Sequence, residues 1–314
     1  MSAWQFTGIN QPLVKADPET PRPKATEVVV DVKAAGLCHT DCGVLTDEGW
    51  LSTLIRIPIT MGHEVAGVIS EVGAEVTEWK VGDRVGICPT TEIGAPGFLY
   101  DGGFGDQVTL DQVALVKIPD NVSFAQGAAG TDAGMTSHSA VMTAGQVKAG
   151  DKVCIIGMGG LGQIGARVAV LAGAEVYIVD TNDAIVELAK ELGAKDVKKS
   201  IKDYADIRFD CVVDFAGFDT TNGAIEAVRF GGRVVQVGMG KLDTNISTKA
   251  LILSNVTLIG SVGGSKDDVA GVYKYFSAGE LDAAIEEITF NQIPEGLDRL
   301  HAGGVVGRLV AVRD

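Results

Sequence analysis

The stretch VCIIGMGGLGQIGARVAVLAGAEVYIVD, residues 153–180, decides the fold. It opens on the short apolar run Val153 to Ile156, the length of one buried parallel strand. Gly157-Met-Gly159-Gly160-Leu161-Gly162 follows, and then Ile164, Val168, Leu171 and Ala172 recur at helical spacing. A second apolar run, Val176 to Val179, ends on Asp180. A GxGxxG alone is a weak signal, but in strand–turn–helix–strand context it predicts a dinucleotide site. Gly157 makes the tight turn, Gly159 lets backbone approach a pyrophosphate, and Gly162 lets helix and strand pack closely. Gly160 and Leu161 complete the loop, and the helix start turns unpaired N–H groups and a positive dipole end toward phosphate. Asp180 lies eighteen positions after Gly162, where an acid grips a ribose 2′-hydroxyl. A carboxylate there repels a 2′-phosphate, so NAD is expected rather than NADP.

The same alternation continues on both sides of this unit. From about Ala133 onward helices and strands take turns: a helical stripe at Ile185, Leu188, Ala189 and Leu192, then a buried strand in Asp210-CVVDFAG. A helix over Ala224 to Val228, a strand at Gly232-RVVQVG and another at Val256-TLIGSV complete a doubly wound parallel sheet. Residues 1–130 read differently, as short strands broken by glycine and proline: Glu27 to Val32, Val65 to Val72, Val81 to Val85, Phe104 to Leu110 and Val113 to Ile118. That texture predicts an antiparallel, barrel-like domain. A helix over Val269 to Ser277 and a strand over Arg308 to Val312 are too little for a third domain. They are expected to rejoin the first, giving a discontinuous domain of residues 1–133 and 262–314 around an inserted nucleotide domain, 134–261.

Composition narrows the partners. The 314 residues are 46% hydrophobic with mean hydropathy +0.22, enough for a sizeable core, and no apolar run reaches the ~20 residues of a bilayer span. The N-terminus shows no signal-peptide pattern. A formal charge of −15 and a pI near 4.7 speak against nucleic acid. Five scattered cysteines suggest free thiols in a reducing, cytoplasmic setting.

Three short motifs precede the nucleotide fold: Cys38-His39-Thr40-Asp41, Gly62-His63-Glu64 and Thr131-Asp132-Ala-Gly134. Each alone is weak, since a Gly-His-Glu is usually a turn and Asp132 could cap a helix. In this order, with Val81-GDRVG and Gly303 to Arg308 as connecting phrases, the whole chain resembles the zinc-dependent alcohol dehydrogenases of the medium-chain dehydrogenase/reductase superfamily. The resemblance implies a GroES-like β-barrel catalytic domain beside a Rossmann NAD-binding domain, one catalytic zinc and a small alcohol or carbonyl substrate. It assigns Cys38, His63 and Asp132 to the metal, with Glu64 either standing behind the ligands or binding transiently. Asp132 departs from the usual cysteine, yet zinc accepts carboxylate oxygen at ordinary bond lengths. Members with aspartate there lean toward secondary alcohols.

The resemblance further implies that zinc stabilises an alcohol's alkoxide while hydride passes to the nicotinamide. Thr40 matches the hydroxyl that relays the alcohol proton, although Gly43 stands where a relay histidine is common. Asp41 is expected to accept the other N–H of His63. His39 and Arg308 match positions at the cofactor phosphates, and Thr136, Val237 and Val262 match positions lining the nicotinamide. Trp50, Leu51, Leu54 and Ile57 fall where the family lines its substrate pocket. Between Arg84 and Gly105 many members carry four cysteines on a structural zinc, but this chain has Cys88 alone, so no structural zinc is expected. Pro89 to Gly105 reads instead as an irregular, mobile loop. Cys42, Cys154 and Cys211 read as packed thiols. A homodimer or homotetramer joined through Val256 to Val262 is the family pattern. Two other readings stay open: a zinc-free relative of the quinone or enoyl reductases, and a non-catalytic NAD-binding protein.

Overall fold

The computed structural model describes residues 1–19 and 22–313. It divides into two compact units, Met1–Asp132 with Ser265–Asp314, and Ala133–Gly264. The division puts Val262 with the second unit, because its strand is bonded there: Ser261 N donates to Gln236 O at 2.9 Å.

The first unit begins with β1 (Ala3–Phe6), β2 (Val14–Ala16), β3 (Glu27–Gly36) and β4 (Ile59–Thr60). Next come β5 (Glu64–Val72), β6 (Arg84–Ile87), β7 (Gln107–Asp111) and β8 (Leu115–Lys117). The expected strand at Val81 to Val85 starts later than its sequence suggests. Gly82 takes φ +93°, turning the chain, and Val81 is exposed on that turn. Phe104 likewise lies ahead of β7 rather than on it, with its ring wholly buried.

The second unit holds β9 (Lys152–Ile156), β10 (Glu175–Val179), β11 (Asp196–Lys198), β12 (Phe209–Asp214), β13 (Val228–Gln236) and β14 (Thr257–Gly260). All pair in parallel, in the order β11-β10-β9-β12-β13-β14. This is the doubly wound order whose direction reverses beside β9, and ligands bind such sheets at the carboxyl ends of the strands at that reversal. The apolar runs of β9 and β12 are fully buried, as a two-sided sheet requires.

The chain then returns to the first unit through the helix Lys266–Ala278, β15 (Ile285–Thr289), the helix Ile293–His301 and β16 (Arg308–Val312). The larger sheet runs β15-β16-β3-β5-β6-β8, with β7 also on β3, and a small sheet β2-β1-β4 stands apart from it. Pairing in the large sheet is antiparallel except for β15 with β16. One register matters most for the site. Gly36 at the end of β3 lies opposite Glu64 on one side and Val310 on the other, so β3 separates Glu64 from the strand that carries Arg308.

Candidate functional site

Four side chains of the first unit offer metal-binding atoms within 4.8 Å of one another: Cys38, His63, Glu64 and Asp132. They come from three distant stretches, and the local structure fixes each. Cys38 precedes the helix His39–Thr46, and Asp41 closes that helix start by accepting Cys38 N–H at 2.9 Å on Oδ2. The other oxygen of Asp41, Oδ1, lies 3.2 Å from His63 Nδ1. One buried carboxylate therefore orients both the thiol's backbone and the imidazole, leaving His63 Nε2 to face the cluster. His63 is only 6% exposed, and it follows Gly62, whose φ of +95° turns the chain into β5. Asp132 sits in the π-helical turn Gly130–Gly134, an irregularity that recurs at functional sites.

Two of the spacings match the edges of a tetrahedral zinc site. Cys38 Sγ is 3.6 Å from Asp132 Oδ2, and His63 Nε2 is 3.5 Å from the same oxygen. Zinc bonds of about 2.0–2.3 Å to N, O and S place tetrahedral corners about 3.3–3.7 Å apart. A sulfur, an imidazole nitrogen and a carboxylate oxygen are also the donor types that zinc takes. The residues present therefore fit the ion.

Arg308 is the cation beside this anionic set. It is 3% exposed, donates from Nε to Glu64 Oε2 at 3.0 Å and from Nη2 to Asp132 Oδ2 at 3.3 Å, and Nη2 also contacts Glu64 Oε1. The electrostatics follow. Burial pushes the Cys38 thiol up, but the Arg308 guanidinium and His63 bring it below its ordinary value. Burial pushes His63 down, yet Asp41 and Asp132 hold it well above the usual imidazole value. The pair Glu64–Arg308 crosses β3 at Gly36, where a Cβ would come within 1.9 Å of Glu64 Oε2. No sequence signal marks Gly36, because its role depends on a register between distant strands.

The other expected residues of this unit fall as follows. Thr40 Oγ1 is 3.6 Å from Cys38 Sγ, beside the cluster, while His39 is exposed at the helix start. Arg308, expected at cofactor phosphates, engages Glu64 and Asp132. Gly43 has a physical reason to lack a side chain: a Cβ there would meet Trp50 Nε1 at 2.9 Å. The indole occupies the room a relay histidine would need. The segment Pro89 to Gly105 has no long regular element, as its composition predicts, and its backbone is tied to the stretch before His63. Gly102 N, Gly103 N and Phe104 N donate to the carbonyls of Thr60, Gly62 and Met61 at 2.7–2.8 Å. Its Phe98 ring meets His63 edge to face at 5.7 Å between centroids. No local sequence signal marks Phe98, since nothing distinguishes it from any loop aromatic.

In the second unit the glycine loop joins β9 to the helix Gly162–Leu171. Gly157 takes φ +86°, Gly159 faces open space, and a Cβ at Gly162 would lie 1.7 Å from Gly157 O. Gly160 and Leu161 lead into the helix, and Leu161 O accepts from Ser137 Oγ at 2.8 Å. Asp180, just past β10, accepts Met158 N–H at 2.7 Å and Asn182 N–H at 2.8 Å, tying the acid to the loop. Thr136 is buried in the helix Met135–His138, Val237 is half-buried past β13, and Val262 is 94% exposed.

These two sites meet their counterparts in known proteins. Residues 24–120 match the alcohol dehydrogenase GroES-like domain, and residues 160–278 match the zinc-binding dehydrogenase domain. An alcohol dehydrogenase from Geobacillus stearothermophilus is 32% identical over 99% of both chains. The chain belongs to this family, the zinc-type alcohol dehydrogenases of the medium-chain superfamily. It is thus an oxidoreductase, built from a GroES-like domain and a Rossmann-type parallel sheet. Among solved structures, the alcohol dehydrogenase of the hyperthermophilic archaeon Aeropyrum pernix superposes with a TM-score of 0.90 at 27% identity, covering 100% of both chains. An acetophenone reductase from Geotrichum candidum, in complex with NAD, gives 0.89 at 26%, covering 99% of this chain and 97% of that one. Among the described residues, no helix of the enzyme is long and apolar enough to cross a membrane.

Proposed function

We propose that this enzyme uses NAD and one zinc ion to interconvert small alcohols with their carbonyl compounds, favouring secondary alcohols and their ketones over primary alcohols and their aldehydes. The observation that carries the reading is that Cys38 Sγ and His63 Nε2 each lie a tetrahedral edge from Asp132 Oδ2, in a set whose donor atoms all fall within 4.8 Å of one another. These three residues would hold the metal, with Glu64 behind them on Arg308. When bound, zinc supplies Lewis acidity that lowers the proton affinity of an alcohol oxygen.

The chain's own residues do the rest. Asp41 keeps the His63 tautomer with Nε2 free, since ligating imidazoles give their other N–H to an acceptor. Thr40 Oγ1, beside the cluster, would accept the alcohol proton and hand it on to a ribose hydroxyl or to water, because Trp50 fills the room at Gly43 where a further relay side chain would stand. The loop Gly157, Gly159, Gly160, Leu161 and Gly162 would cradle the pyrophosphate, and Asp180 would take the adenosine ribose. Thr136, Val237 and Val262 are assigned to the nicotinamide and His39 to a phosphate. Arg308, which engages Glu64 and Asp132, is assigned with His39 to the cofactor phosphates. The acetophenone reductase's bound NAD, and the ketone in its name, support cofactor and substrate class alike.

The assembly is a homodimer or homotetramer through β14, an edge strand of the parallel sheet among the described residues, where Leu258 and Val262 are exposed. Five buried, unbridged cysteines suit a cytoplasmic setting. The test is an NADH-absorbance assay over primary and secondary alcohols, run on wild type and Asp132→Ala with zinc analysis of both. Turnover favouring secondary alcohols, with zinc and activity lost together in Asp132→Ala, supports the reading. Full retention of one tight zinc in the variant refutes the ligand assignment.

A further inference from the structure

The geometry points to Phe98, on the segment that stands where relatives carry a metal-bound lobe, as a positioning residue for the zinc ligand His63. The inference rests on the zinc reading above and concerns how this chain holds its histidine without that lobe.

Three restraints converge on one residue. The backbone leading into His63 has its carbonyls taken one after another: Thr60 O by Gly102 N at 2.8 Å, Met61 O by Phe104 N at 2.8 Å, and Gly62 O by Gly103 N at 2.7 Å. Such closeness requires glycine on both sides. A Cβ at Gly62 would lie 2.4 Å from the Phe104 ring, and one at Gly102 would lie 2.3 Å from Gly62 O. The imidazole is then held on Nδ1 by Asp41 and against its ring by Phe98. Only Nε2 is left for the metal.

Phe98 is itself braced. Its carbonyl accepts Ile55 N–H at 2.9 Å, and Trp50 lies behind its ring at 6.5 Å between centroids, seated in the notch that Gly43 leaves. Asp101, three residues on, accepts Thr60 N–H at 2.9 Å and pairs with Arg56 at 2.6 Å. The segment is thus anchored to both ends of the stretch from Ile55 to His63, and its aromatic ring is the part that touches the ligand. A ligand's rotamer locked in advance costs less entropy when metal binds, and groups that orient metal ligands typically contribute 10–100-fold in affinity.

The experiment compares wild type, Phe98→Leu and Phe98→Tyr, measuring zinc affinity by competition with a chromogenic chelator. The near-ultraviolet thiolate-to-cobalt band of the cobalt-substituted proteins and the melting temperature of the metal-free proteins are read in parallel. Phe98→Leu is expected to weaken zinc about tenfold or more and to broaden or shift the cobalt band. Phe98→Tyr, which keeps the ring, is expected to restore both. Affinity and cobalt spectrum unchanged in Phe98→Leu, whatever its melting temperature, would overturn the proposal and leave Phe98 a packing residue. Failure of the wild type to take up one zinc would instead overturn the metal assignment, so the two failures are distinct.

Discussion

A methyl group added at Gly36 would have nowhere to go: the built Cβ lies 1.9 Å from Glu64 Oε2 and 2.9 Å from Glu64 Cβ. Both strands flanking β3 depend on that absence, because the Glu64–Arg308 pair passes through it. Gly36→Ala is expected to destabilise the protein by about 1–3 kcal/mol, the usual cost of overpacking a buried site. It should also weaken zinc retention, since Arg308 would lose its seat beside Asp132. Urea unfolding and zinc analysis of the variant check both outcomes. At this scale Cys38, His63 and Asp132 could be singled out in sequence through the family resemblance, each motif being weak alone, and the structure brings their donor atoms together with that of Glu64. Gly36 and Phe98 could not, since a glycine or a loop aromatic acquires meaning only from what a distant segment brings against it. Arg308 marks the limit of resemblance: its place in the chain was readable, whereas its engagement by two carboxylates needed the sheet order β16-β3-β5.

Among the elements, the β9–turn–helix–β10 unit was the most legible, because its periodicity, glycines and closing acid all agree. The turn's demands are specific enough to predict a variant. Gly162→Ala would set a Cβ 1.7 Å from Gly157 O, so the loop must open and the helix start must move off the phosphate site. NAD affinity measured by fluorescence titration should fall at least about tenfold, about 1.4 kcal/mol, with zinc content unchanged. The same sheet makes a second prediction. Burial pushes the Cys211 thiol on β12 up from 9.0 to about 12, and Cys154 on β9 is pushed up in the same direction. The folded state therefore favours the protonated thiol. That stabilisation is complete below about pH 9 and is lost as pH rises from about 9 toward 12. Urea midpoints should decline over that interval, and Cys211→Ala should flatten the decline while lowering the midpoint at neutral pH. Elements that went unread divide by cause. The helix Ile293–His301 carries Ile293, Leu297 and Leu300 at helical spacing and was legible in principle. Strand β15 buries Ile288 alone, so no alternation could reveal it.

For the whole molecule, the decisive feature is that the candidate metal-binding cluster and the glycine loop belong to separate compact units of one chain. The first unit is discontinuous in sequence, and its return strand β16 delivers Arg308 to a cluster built more than 170 residues earlier. The change of texture near Ala133, from broken short strands to alternating helix and strand, made this organisation readable before any geometry. The seven-stranded mixed sheet was harder to foresee, because β15 and β16 pair in parallel although the rest of the sheet is antiparallel. Separate units also mean separable functions: removing the metal should leave NAD binding intact. The most direct measurement is a titration of zinc back into chelator-stripped enzyme, following alcohol-dependent NADH formation against bound zinc per chain. Activity should vanish on stripping and return in proportion to zinc, saturating at one ion per chain, while NAD affinity stays constant throughout. Undiminished turnover by the stripped enzyme would contradict a thiolate, an imidazole and the carboxylate of Asp132 acting together through a single metal.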